Sequence, residues 1–135
     1  MNSFSHDTDN EFGMLSLEEA VRLLALPASE QLASLPDFVC KPDEHALTFN
    51  QWFVWAACRS EALFSDFQWQ SLQAIDALLS QMTETKDAEL WTEEAVQYHA
   101  VWRQVRSLAQ YALTSCGWQQ EGSVGLSAEY FPARP

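Results

Sequence analysis

An all-α domain, a compact bundle of four or five helices, is the fold class this sequence predicts, and three observations predict it. The 135 residues include only four Gly and five Pro, too few for a β-sandwich that turns every roughly ten residues or for a glycine-built phosphate cradle. Apolar residues recur at helical spacing along several long stretches. Hydrophobic residues make up 47% of the chain and aromatics 13%, with six Trp and eight Phe, which is enough apolar side chain to bury one core in a chain of single-domain length.

Residues 1–13 are polar and lack periodicity, which predicts a mobile leader ahead of a helical domain over 14–117. Ser16 followed by Glu19 reads as a capping box, in which serine and glutamate satisfy each other's free backbone N–H groups, so a helix is predicted to start there. Leu17, Ala20, Val21 and Leu24 form its apolar stripe, Glu18 and Arg22 an i,i+4 ion pair, and Pro27 its end. A short helix over 29–35 follows, stopped by Pro36, and residues 37–47 read as a loop. Thr48 with Gln51 offers a second box before an aromatic central helix that carries Phe49, Trp52, Phe53 and Trp55 on to Phe64.

Ser65 with Gln68 is a third box, opening a helix with Leu72, Ile75, Leu79 and Met82 on one face. After a polar link at 83–87, the stripe Trp91, Ala95, Tyr98, Trp102, Val105, Ala109, Ala112, Cys116 predicts a single helix over 88–116. Such a helix would be about 40 Å long at ~1.5 Å per residue. Gly117 stands where a left-handed cap belongs. Residues 118–135, with Gly122, Gly125, Pro132 and Pro135, predict an irregular tail whose Trp118, Leu126, Tyr130 and Phe131 pack back on the bundle or, as the alternative, serve as a short linear contact for another protein.

Nineteen Asp and Glu against seven Lys and Arg give a net charge of −12. That field repels phosphate backbones and anionic lipid, so neither direct nucleic-acid binding nor membrane association is expected. The longest wholly apolar run, 52–58, is seven residues, against the roughly 20 a membrane-spanning helix needs. Cys40, Cys58 and Cys116 are odd in number and widely spaced, which predicts reduced, buried structural thiols and a cytoplasmic protein. No secretory signal is visible at the N-terminus.

Catalytic chemistry finds no specific motif. His6, His45 and His99 form no His-Glu-x-x-His, and His99 follows Glu94 by five residues, the wrong interval for a shared metal. There is no Gly-x-Ser-x-Gly elbow, and Cys40 near His45 is a pair that chance readily supplies. No catalytic residue, metal or cofactor is therefore expected.

What the sequence does offer is surface. Acidic residues concentrate at Asp7, Asp9, Glu11, Glu18 and Glu19, and again at Glu84, Asp87, Glu89, Glu93 and Glu94, where Lys86 alone interrupts them. A helix that is apolar all round needs neighbours on every side, so Trp52, Trp55 and Trp69 are candidate interface anchors. Acids that steer the encounter and aromatics that supply affinity together predict a non-catalytic module for a basic protein partner, of inhibitor, immunity, antitoxin or secretion-chaperone type. One alternative is a ligand-binding protein or small enzyme that holds an anionic molecule with His99, Arg103 and Arg106, which stand at i, i+4 and i+7. Another is a structural homo-oligomer, a homodimer in its simplest form, joined through the aromatic helix.

Overall fold

The computed structural model describes residues 3–118, with side chains from residue 9 onward, and among these residues it is helical without a strand. Four long helices form the bundle: α1 (Ser3–Ala25), α3 (Lys41–Ala57), α5 (Asp66–Thr85) and α7 (Ala100–Ser115). α1 packs on α3 and α7, and α5 on α7 and α3, so the four close a ring around one core. Leu17, Val21, Leu24, Phe49, Leu72, Ile75, Trp102 and Val105 are fully buried in it. α2 (Ala28–Ala33) is the short helix expected over 29–35, while α4 (Ser60–Leu63), α6 (Glu93–Tyr98) and a 3-10 turn (Ala88–Trp91) are separate pieces of stretches expected to be continuous helix. α6 packs on α2 and α3 as well as α7.

Residues 3–13, part of the leader expected over 1–13, are helical and continuous with α1, and the Ser16 box does not form because the chain is already helical there. The cause is tertiary. Gly13 is buried beneath Trp55, Met14 packs on the core, and Phe12 meets Trp52 edge-on at 5.6 Å, contacts that reward continuing the helix upstream. The Glu18–Arg22 pair forms at 2.6 Å.

The loop expected at 37–47 is corrected as well. α3 starts at Lys41, with Pro42 in its first turn, where the missing N–H has no intrahelical partner to lose, and Thr48 lies mid-helix. The Ser65–Gln68 box forms in full, serine accepting from the Gln68 N–H and glutamine from the Ser65 N–H. At the end of α7, Trp118 N–H donates to the Leu113 carbonyl at 2.8 Å and Gly117 N–H to Thr114 at 3.1 Å, with Gly117 at φ 73: a Schellman cap. The fold-back expected of Leu126, Tyr130 and Phe131 lies outside the described residues.

Where α2 meets α3, His45 is buried, and its Nε2–H donates to the Gln31 carbonyl at 2.9 Å. Burial pushes the imidazole below its ordinary value, against the opposing pull of that carbonyl and of Glu44. The native state therefore favours neutral histidine more than the unfolded chain does. Its contribution is whole above pH ~6.5 and is lost as pH falls below that value towards the depressed native one. Urea midpoints of the protein should drop between pH 7 and 5, and in His45→Gln that part of the slope should vanish.

Candidate protein-interaction surface

The acidic residues of 84–94 are set out by a chain of caps. α5 ends at Lys86 in the left-handed region, φ 58, which turns the chain sharply. Asp87 accepts from the Glu89 N–H at 3.0 Å and opens the 3-10 turn. Thr92 accepts from the Ala95 N–H at 3.0 Å and opens α6, with Glu93 and Glu94 in its first turn, where the helix dipole favours carboxylates.

His99 then takes an extended conformation, φ −80 and ψ 139, and ends α6, while its Nδ1 accepts from the Val101 N–H at 3.0 Å and starts α7. This is the largest correction to the sequence reading: the single helix over 88–116 is three pieces. Tyr98, expected in the buried stripe, is 70% exposed, while Val96 is fully buried. The junction is anchored from the core, because the Trp102 indole N–H donates to the Leu90 carbonyl at 2.7 Å and Trp91 meets Trp102 edge-on at 5.8 Å.

Glu84, Asp87, Glu89, Glu93 and Glu94 all lie exposed on this stretch. Glu89, Glu94, Tyr98 and His99 are among the walls of an open hollow of 500 Å³. Carboxylates there can accept hydrogen bonds from an ammonium or a guanidinium, and the face of an exposed tyrosine attracts the same cations.

Among the described residues no cation forms an ion pair with these acids. Among the described residues only two ion pairs form, Arg22–Glu18 and Lys41–Asp37. Arg59 lies over the Trp55 ring at 4.6 Å and donates to the Trp55 carbonyl at 2.7 Å. Arg103 donates to the Tyr98 carbonyl at 2.9 Å and Arg106 to the Val96 carbonyl at 3.3 Å. Burial, with Arg103 nearby, lowers the Arg106 pKa from its usual value.

His99, Arg103 and Arg106 are thus not one stripe of one helix. Each is bonded to backbone at the α6–α7 junction, the arginines capping the carbonyls that α6 leaves open. Charged donors to backbone are worth about 1.5–3 kcal/mol each, and less where water screens them, as at the exposed Arg103, so Arg103→Gln/Arg106→Gln should lower stability by about 2–4 kcal/mol. An anion site predicts something else, unchanged stability and a phosphate-dependent rise in melting temperature that the double variant abolishes; thermal melts with and without phosphate separate the two.

Trp52, Trp55 and Trp69 are half-buried in the seams between helices instead of standing clear of the surface. Trp52 meets Trp55 edge-on at 6.1 Å, and Trp69 stacks between Phe53 at 4.8 Å and Phe64 at 5.7 Å. The outward apolar side chains are others, Tyr98, Phe67 and Tyr111 among them. Their helical positions were visible in the sequence, but which face of each helix lacks a neighbour was not.

The cysteines also differ from expectation. Cys40 and Cys58 are exposed, and only Cys116 is half-buried, its thiol pushed up to about 11 chiefly by burial. Among the described residues no three His, Cys, Asp or Glu side chains converge as a metal site would require, and no helix is long and apolar enough to cross a membrane. Compared with known protein families, curated proteins and solved structures, the chain matches none.

Proposed function

We propose that this protein binds a basic protein partner without catalysis, in the manner of an inhibitor, immunity factor, antitoxin or secretion chaperone. The observation that carries this reading is the run of exposed carboxylates at 84–94, two of which, Glu89 and Glu94, line the hollow that holds Tyr98, with no ion pair to any of them among the described residues. Carboxylates steer the encounter over a screening length of about 10 Å at 0.1 M salt. Tyr98 supplies a desolvated aromatic contact at the centre. Three thiols in no disulfide fit a reducing compartment, so the partner is met in the cytosol.

An oligo-arginine peptide serves as the probe. Two rim charges at up to about 1 kcal/mol each predict about tenfold weaker binding for Glu89→Gln/Glu94→Gln, mostly through a slower association rate. Glu11→Gln/Glu19→Gln removes the same net charge from the outer face of α1 and should have a much smaller effect. Equal losses from the two pairs would reduce the attraction to bulk charge and overturn the assignment of this surface.

A further inference from the structure

The same end of the molecule opens into a second feature. A groove of 670 Å³ runs between α5 and α7, lined chiefly by small and apolar side chains, Ala74, Ala77, Leu78, Ser107 and Leu108. Beyond one end, on the same faces of the two helices, Phe67 and Tyr111 meet edge-on at 5.9 Å and remain 57% and 51% exposed. Its other end is formed by Gln81 and Ala100. Glu84 lies one turn beyond Gln81, and Tyr98 and His99, which line the acidic hollow, directly precede Ala100, so the groove and the hollow adjoin.

Charge along this path is uneven in a telling way. α7 carries no carboxylate, and Arg103 is the one charged residue lining the groove. In a chain of net charge −12, no carboxylate is among the residues that line the groove, and carboxylates gather beyond one end of it.

We infer that the groove receives an amphipathic α-helix of the basic partner, its apolar stripe between α5 and α7 and its lysines or arginines over Glu89 and Glu94. A helix is the element that fits. Its backbone hydrogen bonds are satisfied internally, so it can lie on a face with few polar partners, and alanine and serine walls let two helix axes approach to about 8–10 Å. Residues 100–111 span about 16 Å at ~1.5 Å per residue, about three turns, and a fourth turn carries a helix past Ala100 to the acidic rim. This inference rests on the basic-partner reading above and specifies the partner's shape.

The test uses a synthetic peptide of about 16 residues, with leucines and alanines on one helical face and lysines at one end, and a second peptide of identical composition in shuffled order. Fluorescence anisotropy should show the ordered peptide binding about tenfold or more tightly, since only it presents a continuous apolar stripe to the groove. Ser107→Tyr, which fills the groove from an exposed position, should erase that preference, and Glu89→Gln/Glu94→Gln should weaken both peptides. Equal binding of the two peptides would sink the groove while leaving the basic-partner reading intact. Binding of neither would sink both. A preference that survives Ser107→Tyr overturns the groove assignment, and so does a dimer of the protein alone, seen by light scattering, that Ser107→Tyr dissociates, since a second copy would then be the occupant.

Discussion

Trp102→Ala should lower stability by about 3–5 kcal/mol, the range for emptying a fully buried large side chain. Trp102 is 0% exposed at the start of α7, and three effects add at this residue. Its ring fills the core, its edge supports Trp91, and its indole N–H satisfies the Leu90 carbonyl at 2.7 Å. A domain of this size is stable by about 5–15 kcal/mol in total, so the variant should unfold at a much lower urea midpoint. Trp102→Phe divides the effect. It keeps most of the packing but leaves the Leu90 carbonyl unpaired, at a cost of about 1–3 kcal/mol. Because that hydrogen bond ties the 3-10 turn to α7, hydrogen exchange in Trp102→Phe should quicken first at residues 88–92. Uniform acceleration across the bundle would show that the indole N–H plays no part in holding the acidic stretch in place.

Gly13→Ala should also destabilise the protein, by about 1–3 kcal/mol, although helix propensity alone predicts the opposite sign. In a helix interior alanine is better than glycine by about 0.5–1 kcal/mol, because glycine surrenders more backbone freedom on folding. At this position packing outweighs propensity. A Cβ on Gly13 would collide with three atoms of the six-membered ring of the Trp55 indole, so α1 and α3 would have to separate or the indole to turn. Trp55 also carries Arg59 over its face and meets Trp52 at its edge, so turning it disturbs two further contacts. Overpacking of this kind costs more than the propensity gain. The check is a double-mutant cycle with Trp55→Phe, whose smaller ring withdraws from Gly13. The double variant should be more stable than the sum of the two single changes implies, and strict additivity would show that the close approach is not the cause.

The elements legible in the sequence are those whose energetics are local. The Ser65–Gln68 box, the Glu18–Arg22 pair and the Gly117 cap each form between residues a turn or so apart, as spacing predicts. The boxes expected at Ser16 and Thr48 are absent for a physical reason. A cap is worth about 1 kcal/mol, whereas extending α1 buries Gly13 beneath Trp55 and packs Met14 on the core, and starting α3 early buries His45 against α2. The stripe from Trp91 to Cys116 misled in another way. The core positions from Trp102 onward are right, but neither glycine nor proline marks the break at His99. The available signal was Thr92 followed by Glu93 and Glu94, an N-cap with acids in the first turn.

By itself, then, the amino-acid order determined the all-helical class, the apolar face of α5 and the excess of carboxylates at 84–94. Only the tertiary structure decided that the chain breaks at His99 so that α6 packs on α2 and α3, that Tyr98 is exposed beside those carboxylates, and that the α5–α7 groove adjoins them. The reason is that periodicity states which side chains seek a core and is silent on the direction of the helix axis. That direction follows from which arrangement encloses Val96 and Trp102 while giving the Leu90, Val96 and Tyr98 carbonyls their donors.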